Sequence, residues 1–280
     1  MTTAEPDIPF ASSTWRRQLA LGCGTLATLL IVALAAPVLA PDDPTAQDLA
    51  AGLERPALEH PFGRDKLGRD QLSRVIYGTR VSLAVGLAAV AVSAALGVTI
   101  GAVAGFAGGA VDFWIMRVVD ILLAFPGILL AIAMTAALGP GLGNVVLALS
   151  LIGWTGYARL VRAEVMTVAA RDHVEAARAL GVAPAALLVR HILPLIAAPV
   201  VVQATFGMAG AIVAEASLSF LGLGVQPPTP SWGAMVNEGR SFLLVAPHLV
   251  LYPGLAIFVT VLGLNTLGDG LRDFLDVRSR

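Results

Sequence analysis

The sequence predicts an all-α, polytopic membrane protein with about six transmembrane helices, and three observations predict it. The first is composition. Of 280 residues, 57% are hydrophobic and 13% charged, where a soluble domain carries about a quarter charged. Mean hydropathy is +0.81. The second is six long apolar stretches nearly free of charge, with Asp120 near the start of the third as the exception. An unpaired charge at mid-bilayer costs at least ~2.5–3.5 kcal/mol, and lipid leaves the backbone no partner outside a helix. The third is a single charged segment, roughly Arg159 to His191, between the fourth and fifth stretches. A net charge of -1 gives no basis for nucleic-acid binding. The single cysteine, Cys23, excludes an internal disulfide and a cysteine-based metal cluster.

The elements follow in order. Residues 1–18 are a polar segment ending at Arg16-Arg17. The first span, 19–40, is about 20 residues, long enough to cross ~30 Å of hydrocarbon, whereas a signal-peptide core has about 7–15; a retained span is expected. Residues 41–81 form a polar segment rich in Pro, Asp and Arg. A five-helix core, 82–268, follows. Its spans are Ser82–Phe106, Val118–Leu138, Asn144–Ala158, Ile192–Ala214 (apolar on to Leu223) and Pro247–Leu267. Phe125-Pro126-Gly127 is expected to kink the third span. The charged hairpin occupies the loop 164–193, a Pro-rich loop runs from Gln226 to Gly239, and 269–280 is a polar tail.

Arginine placement sets orientation. With the N-terminus inside, the inner segments hold Arg16, Arg17, Arg117, Arg159, Arg162, Arg171, Arg178, Arg190, Arg272, Arg278 and Arg280. The outer ones hold Arg55, Arg64, Lys66, Arg69, Arg74, Arg80 and Arg240. That bias of 11 against 7 places both termini and the hairpin in the cytoplasm.

Within the hairpin, Asp172 with Glu175 three residues later resembles a capping box. The short helix Val174–Leu180 ends at Gly181, the residue type expected just past a helix. Glu175 can pair with Arg171 or Arg178. Pro184 suits the start of a second short helix toward His191, and Pro194 opens the fifth span. Ala176, Ala177, Ala179 and Ala183 leave a slim surface, suited to insertion in a groove of another protein. A loop that only set topology would explain the arginines but not the alanines, the cap or the glycine turn.

Glu175-Ala176-Ala177, Gly181, His191 and Pro194 resemble the EAA loop of permease subunits of bacterial ABC importers. His60-Pro61-Phe62-Gly63-Arg64-Asp65-Lys66-Leu67-Gly68-Arg69-Asp70 resembles the segment before span two in peptide/nickel permeases. Ser219-Phe220-Leu221-Gly222-Leu223-Gly224-Val225-Gln226-Pro227-Pro228 with Ser231-Trp232-Gly233, and Leu267-Gly268-Asp269-Gly270-Leu271-Arg272-Asp273, resemble two further signatures of that group. The four in this order point to the C-type subunit of dipeptide and oligopeptide systems. Arg64 departs from the usual threonine and Val277 from the usual proline.

The resemblance implies a type I ABC importer permease fold in the inner membrane of a bacterium. It implies a homologous second permease (B-type), one or two ATP-binding subunits and an extracytoplasmic substrate-binding protein as partners, besides membrane lipid. It implies that Asp172, Glu175, Ala176, Ala177, Gly181, His191 and Pro194 couple ATPase closure to the spans. No Gly-x-x-x-x-Gly-Lys loop is present, so no cofactor is expected on this chain, and ATP and Mg belong to the partners. Nickel or a haem or metal chelate is the alternative cargo.

Other residues were weighed alongside. Glu215 is a candidate for the pathway or for an interhelical hydrogen bond; Asn265 and Thr266 are expected to bond between helices. Gly97, Gly101 and Gly105 form a smooth stripe for close helix packing, within the chain or against a partner. Asp120 is expected to pair with Arg117 three residues before it. Asp269, Arg272 and Asp273 are expected at the inner membrane surface. His60, His173, His191 and His248 lack metal-ligand spacing, and no nucleophile-and-base pattern supports an enzyme. A secondary transporter would favour carboxylates near mid-bilayer, and only Glu215 comes near.

Overall fold

The computed structural model describes the backbone from Ala11 to Arg278 and side chains from Thr14 to Leu275. Residues 1–10, the side chain of Val277, and Arg278 and Arg280 as charges lie outside the described residues. Helices follow in the order α1 (Ala11–Leu34), α2 (Ala36–Leu39), α3 (Gln71–Ala107), α4 (Gly109–Ala124), α5 (Gly127–Leu138), α6 (Leu142–Ala169), α7 (Asp172–Ala179), α8 (Pro184–Ala186), α9 (Ala197–Phe220), α10 (Trp232–Gly239) and α11 (His248–Arg278). Five are long and apolar enough to cross a membrane, six if α4 and α5 count as one broken span.

The expected first span, 19–40, is not one helix. α1 ends at Leu34, and Pro37 falls in the separate turn α2. Proline has no N–H and its ring clashes with the carbonyl four residues back, so the first helix stops short of it. α1 lies along α11, with Gly22 against Leu267 and Gly263 against Thr25. Leu21, Leu30, Ile31 and Leu34 on α1 are left exposed, a lipid-facing surface.

α3 begins at Gln71, not 82. Asp70 caps it, its Oδ2 accepting from the Ser73 N–H at 2.7 Å. Its 37 residues make about 55 Å of helix, more than the ~30 Å of hydrocarbon. The first turns are polar because Gln71 and Arg74 are buried against the segment 41–70 and α10, so hydropathy alone starts the span late. Gly97, Gly101 and Gly105 face α6: a Cβ on Gly101 would overlap the backbone of Ala158, and those on Gly97 and Gly105 would crowd Trp154 and Arg162. Replacing Gly101 with valine is expected to cost about 1–3 kcal/mol or more by overpacking, read as a lower melting temperature in detergent. Gly210, whose Cβ would meet nothing within 4 Å, supplies the control, Gly210→Ala.

The third span is broken rather than kinked: α4 and α5 meet at 85° across Phe125-Pro126. Asp120 does not pair with Arg117. It takes Arg159 on α6, and Asp112 takes Arg162. Two adjacent arginines on α6 reach both carboxylates across the helix pair, whereas Arg117 turns to the Phe113 ring, 5.8 Å away.

The ends of the molecule are distinct. At one end the segment 41–70 packs on α10 and the start of α11. Gln71 Nε2 donates to the Leu249 carbonyl at 3.1 Å, Phe62 stacks on Tyr252 at 3.8 Å, and Trp232 Nε1 donates to the Val75 carbonyl at 3.0 Å. At the other end lie α7, the end of α6 and the approach to α9, and the start of α1 against the end of α11, where Trp15 meets Phe274 at 5.2 Å.

Candidate functional site

The hairpin is built on the last turns of α6. Val165 and Val168 of α6 join Val174 and Ala177 of α7, then Leu187, Ile192 and Ile196 beyond it, in one buried cluster. Val174 and Ala177 are three apart, so one narrow apolar stripe holds α7 down. Ala177 therefore faces the protein's own spans, while Asp172, Glu175, Ala176, Arg178 and Ala179 face outward. Of the expected slim outer surface, Ala177 is not part.

The cap differs from expectation too. Arg171, not Asp172, occupies the N-cap, and Asp172 stands inside the first turn without a side-chain cap bond. Only two residues separate α6 from α7, and the Arg171 carbonyl already takes the Val174 and Glu175 N–H groups at 2.9 and 3.1 Å. Asp172 and Glu175 still put negative charge at the positive end of the helix, and Arg178 balances the other end. Among the described residues Glu175 makes no ion pair with Arg171 or Arg178.

The C-terminal end is a complete Schellman turn. Gly181 has φ +81, its N–H donates to the Arg178 carbonyl at 3.0 Å, and the Val182 N–H donates to the Ala177 carbonyl at 3.2 Å. A Cβ on Gly181 would meet nothing within 4 Å, so glycine is needed for the angle and not for space. The chain then passes through α8, a π turn over Leu187–Ile192 and a 3₁₀ turn over Leu193–Ile196 into α9. His191 Nδ1 lies 3.5 Å from the Ala186 carbonyl, and Pro194 stands exposed in the 3₁₀ turn.

Sequence reasoning missed Leu180. It caps α7 and is 85% exposed. Its signal was available: a large apolar residue off the Val174–Ala177 stripe, next to the turn glycine. Val189 is also exposed at 59%.

Within the spans, a cleft of about 300 Å³ opens among α3, α5, α6 and α9, lined mostly by small residues such as Ala89, Ala131, Gly153, Gly207 and Gly210. Its polar groups are Ser93, Tyr157 and Gln203. A second, of about 490 Å³, lies beyond Ile128 and includes Asn265. Thr266 instead bonds its own helix, donating to the Leu262 carbonyl. Glu215 lines neither cleft. It is fully buried on α9 and accepts from Ser219 Oγ at 2.7 Å and from Ser82 Oγ of α3 at 3.4 Å. That makes it an interhelical group.

At the opposite end Asp65, Arg69, Arg74 and Glu238 form a compact charge network. Arg69 Nε donates to Asp65 Oδ2 at 2.6 Å and its NH2 to Glu238 Oε2 at 2.7 Å; Arg74 NH2 donates to the same oxygen at 3.2 Å. Nearby, the ligand atoms of Asp42, His60 and Asp70 lie within 4.8 Å of one another. Arg64 decides their chemistry. Its NH2 is 2.8 Å from His60 Nε2, and a guanidinium only donates. Nε2 therefore accepts, and Nδ1 carries the proton that it donates to Asp70 at 3.0 Å. A ring held this way, beside a cation, offers a metal no lone pair at Nδ1.

Apolar helices long enough to cross a membrane, one pair of them broken, and small-residue clefts between them suit the membrane-embedded part of a transporter. Residues 97–280 match the family described as binding-protein-dependent transport system inner membrane component, and the chain belongs to that family. It is 46% identical over 268 residues to a glutathione transport system permease protein of Pectobacterium atrosepticum, covering 94% of this chain and 89% of that one. The Escherichia coli O157:H7 protein of the same name is 47% identical over 249 residues, covering 89% and 82%. A dipeptide transport system permease protein of Alkalihalophilus pseudofirmus is 40% identical over 295 aligned positions, covering 100% of this chain and 97% of its own. The protein is thus a multi-pass inner-membrane permease component and not a catalytic enzyme.

Proposed function

We propose that this chain is one permease subunit of an ABC importer that carries dipeptides, oligopeptides or glutathione-like peptides inward by alternating access. The names of its relatives support a peptide cargo; nothing in the chain favours nickel or a metal chelate. A homologous permease stands across the pathway, and the clefts on either side of Ile128 form this subunit's part of its wall. A binding protein delivers substrate to the end built from 41–70 and α10. One or two ATPase subunits, holding ATP and Mg, receive α7, so both termini and the hairpin are cytoplasmic. This chain binds no cofactor.

The observation that carries this reading is the construction of α7. Its inner stripe is locked to α6 and the approach to α9, while its outer face and Leu180 stay free. A push on α7 is therefore passed to two spans at once. The test is Gly181→Val. A β-branched residue at φ +81 costs roughly 1–2 kcal/mol locally, and the substitution leaves the span core untouched. Peptide uptake is expected to fall severalfold with the chain still folded in the membrane. Uptake at full rate, with ATPase association unchanged, overturns the reading.

A further inference from the structure

We infer that the cleft between α4 and α6 holds the phosphate headgroup of an anionic phospholipid, with Arg117 as its anchor. The cleft is about 400 Å³ and is lined by Asp112, Phe113, Met116, Arg117, Asp120 and Arg162. The lining holds two aspartates and two arginines, and Arg159, from outside the lining, adds a third arginine through its pair with Asp120. Arg162 is matched by two bonds to Asp112, and Asp120 is matched by Arg159. Arg117 is exposed, and among the described residues no carboxylate pairs with it; its guanidinium lies over the Phe113 ring. One positive charge is left facing the cleft.

The surroundings say what neutralises it. α4 starts beside Arg162, near the hairpin end of α6, and Val119 packs on Trp154 and Ala158 further up that helix. The cleft therefore sits at the membrane boundary, where basic pockets between helices take lipid headgroups. The same helix exposes Trp114, Val118 and Ile121. Val118 and Ile121, beyond Arg117 along α4, offer acyl chains an apolar surface, and Trp114, one turn nearer the helix start, is an aromatic residue at headgroup level, the usual interfacial anchor. A soluble anion would use the charge but not that surface.

The test uses the full chain in nanodiscs of phosphatidylcholine containing a minority of phosphatidylglycerol, with retained lipid measured by native mass spectrometry. Selective retention of phosphatidylglycerol is expected, reduced about fivefold by Arg117→Gln and unchanged by Arg240→Gln at the other end. Inorganic phosphate is expected not to displace it. Melting curves check that the variants remain folded. Equal retention in Arg117→Gln and the parent overturns the inference. So does an equal loss in Arg240→Gln, and so does displacement by phosphate, which identifies a soluble anion as the occupant. None of these outcomes bears on the peptide or ATPase reading.

Discussion

Leu180→Asp is expected to abolish most peptide uptake while leaving the chain as stable as its parent. The stability half follows from geometry. Leu180 is 85% exposed, so its side chain takes almost no part in the fold, and surface changes of that kind stay within about 0.5 kcal/mol. The uptake half follows from what such a residue is worth when a partner covers it. A central apolar anchor in an interface contributes ~2 kcal/mol or more, and replacing it with a carboxylate adds the cost of burying an unpaired charge. A loss of roughly thirtyfold or more in hairpin–ATPase affinity is the expected scale. The measurement is twofold: uptake in vesicles, and co-purification of the ATPase with the membrane chain. Leu180→Met, which keeps the apolar volume, should retain both. If Leu180→Asp transports normally, the tip of α7 is not the docking point. If the variant melts well below the parent, Leu180 is a folding residue.

How far this could be read from sequence depends on the range of the interaction concerned. The apolar stretches announce the spans because each is a local property of some twenty residues. The turn at Gly181 is equally local: a glycine, a short helix before it and a proline after it. What stayed hidden was decided across space. Gln71 and Arg74 look like loop residues, yet they begin α3, where Gln71 Nε2 donates to the Leu249 carbonyl and Arg74 NH2 to Glu238. Asp120 has an arginine three residues away in the chain and takes another 39 residues on. α10 hid in a Pro-rich loop, although Ser231 was there to cap it, accepting from the Ala234 N–H at 3.3 Å. Ala177 and Leu180 show the limit most clearly. One lies in a short helix and the other caps it, and composition alone puts the alanine outside and the leucine inside. The Val174–Ala177 stripe reverses that, because only the smaller residue lets α7 lie flat on α6.

The largest loss of stability is expected from Asp65→Ala at the opposite end. Asp65 is 4% exposed; its Oδ1 accepts the Leu67 and Arg69 N–H groups at 2.8 and 3.0 Å, and its Oδ2 takes Arg69 Nε. Arg69 and Arg74 are themselves 3% and 2% exposed. With Asp65 gone, Glu238 alone faces two buried guanidiniums, and breaking such a pair costs about 3–5 kcal/mol. Glu238→Ala should cost less, since its side chain is 21% exposed and water replaces part of what is lost. The two face the same arginines, so the double variant, which leaves both buried guanidiniums without a carboxylate, should lose more than the sum of the singles. Melting temperatures of the four proteins in detergent supply the cycle. Additive losses would mean that the two carboxylates act independently, and that the segment 41–70 is not clamped to α10 through this network. Non-additivity would identify the network as the joint that makes the segment 41–70 and α10 move as one piece.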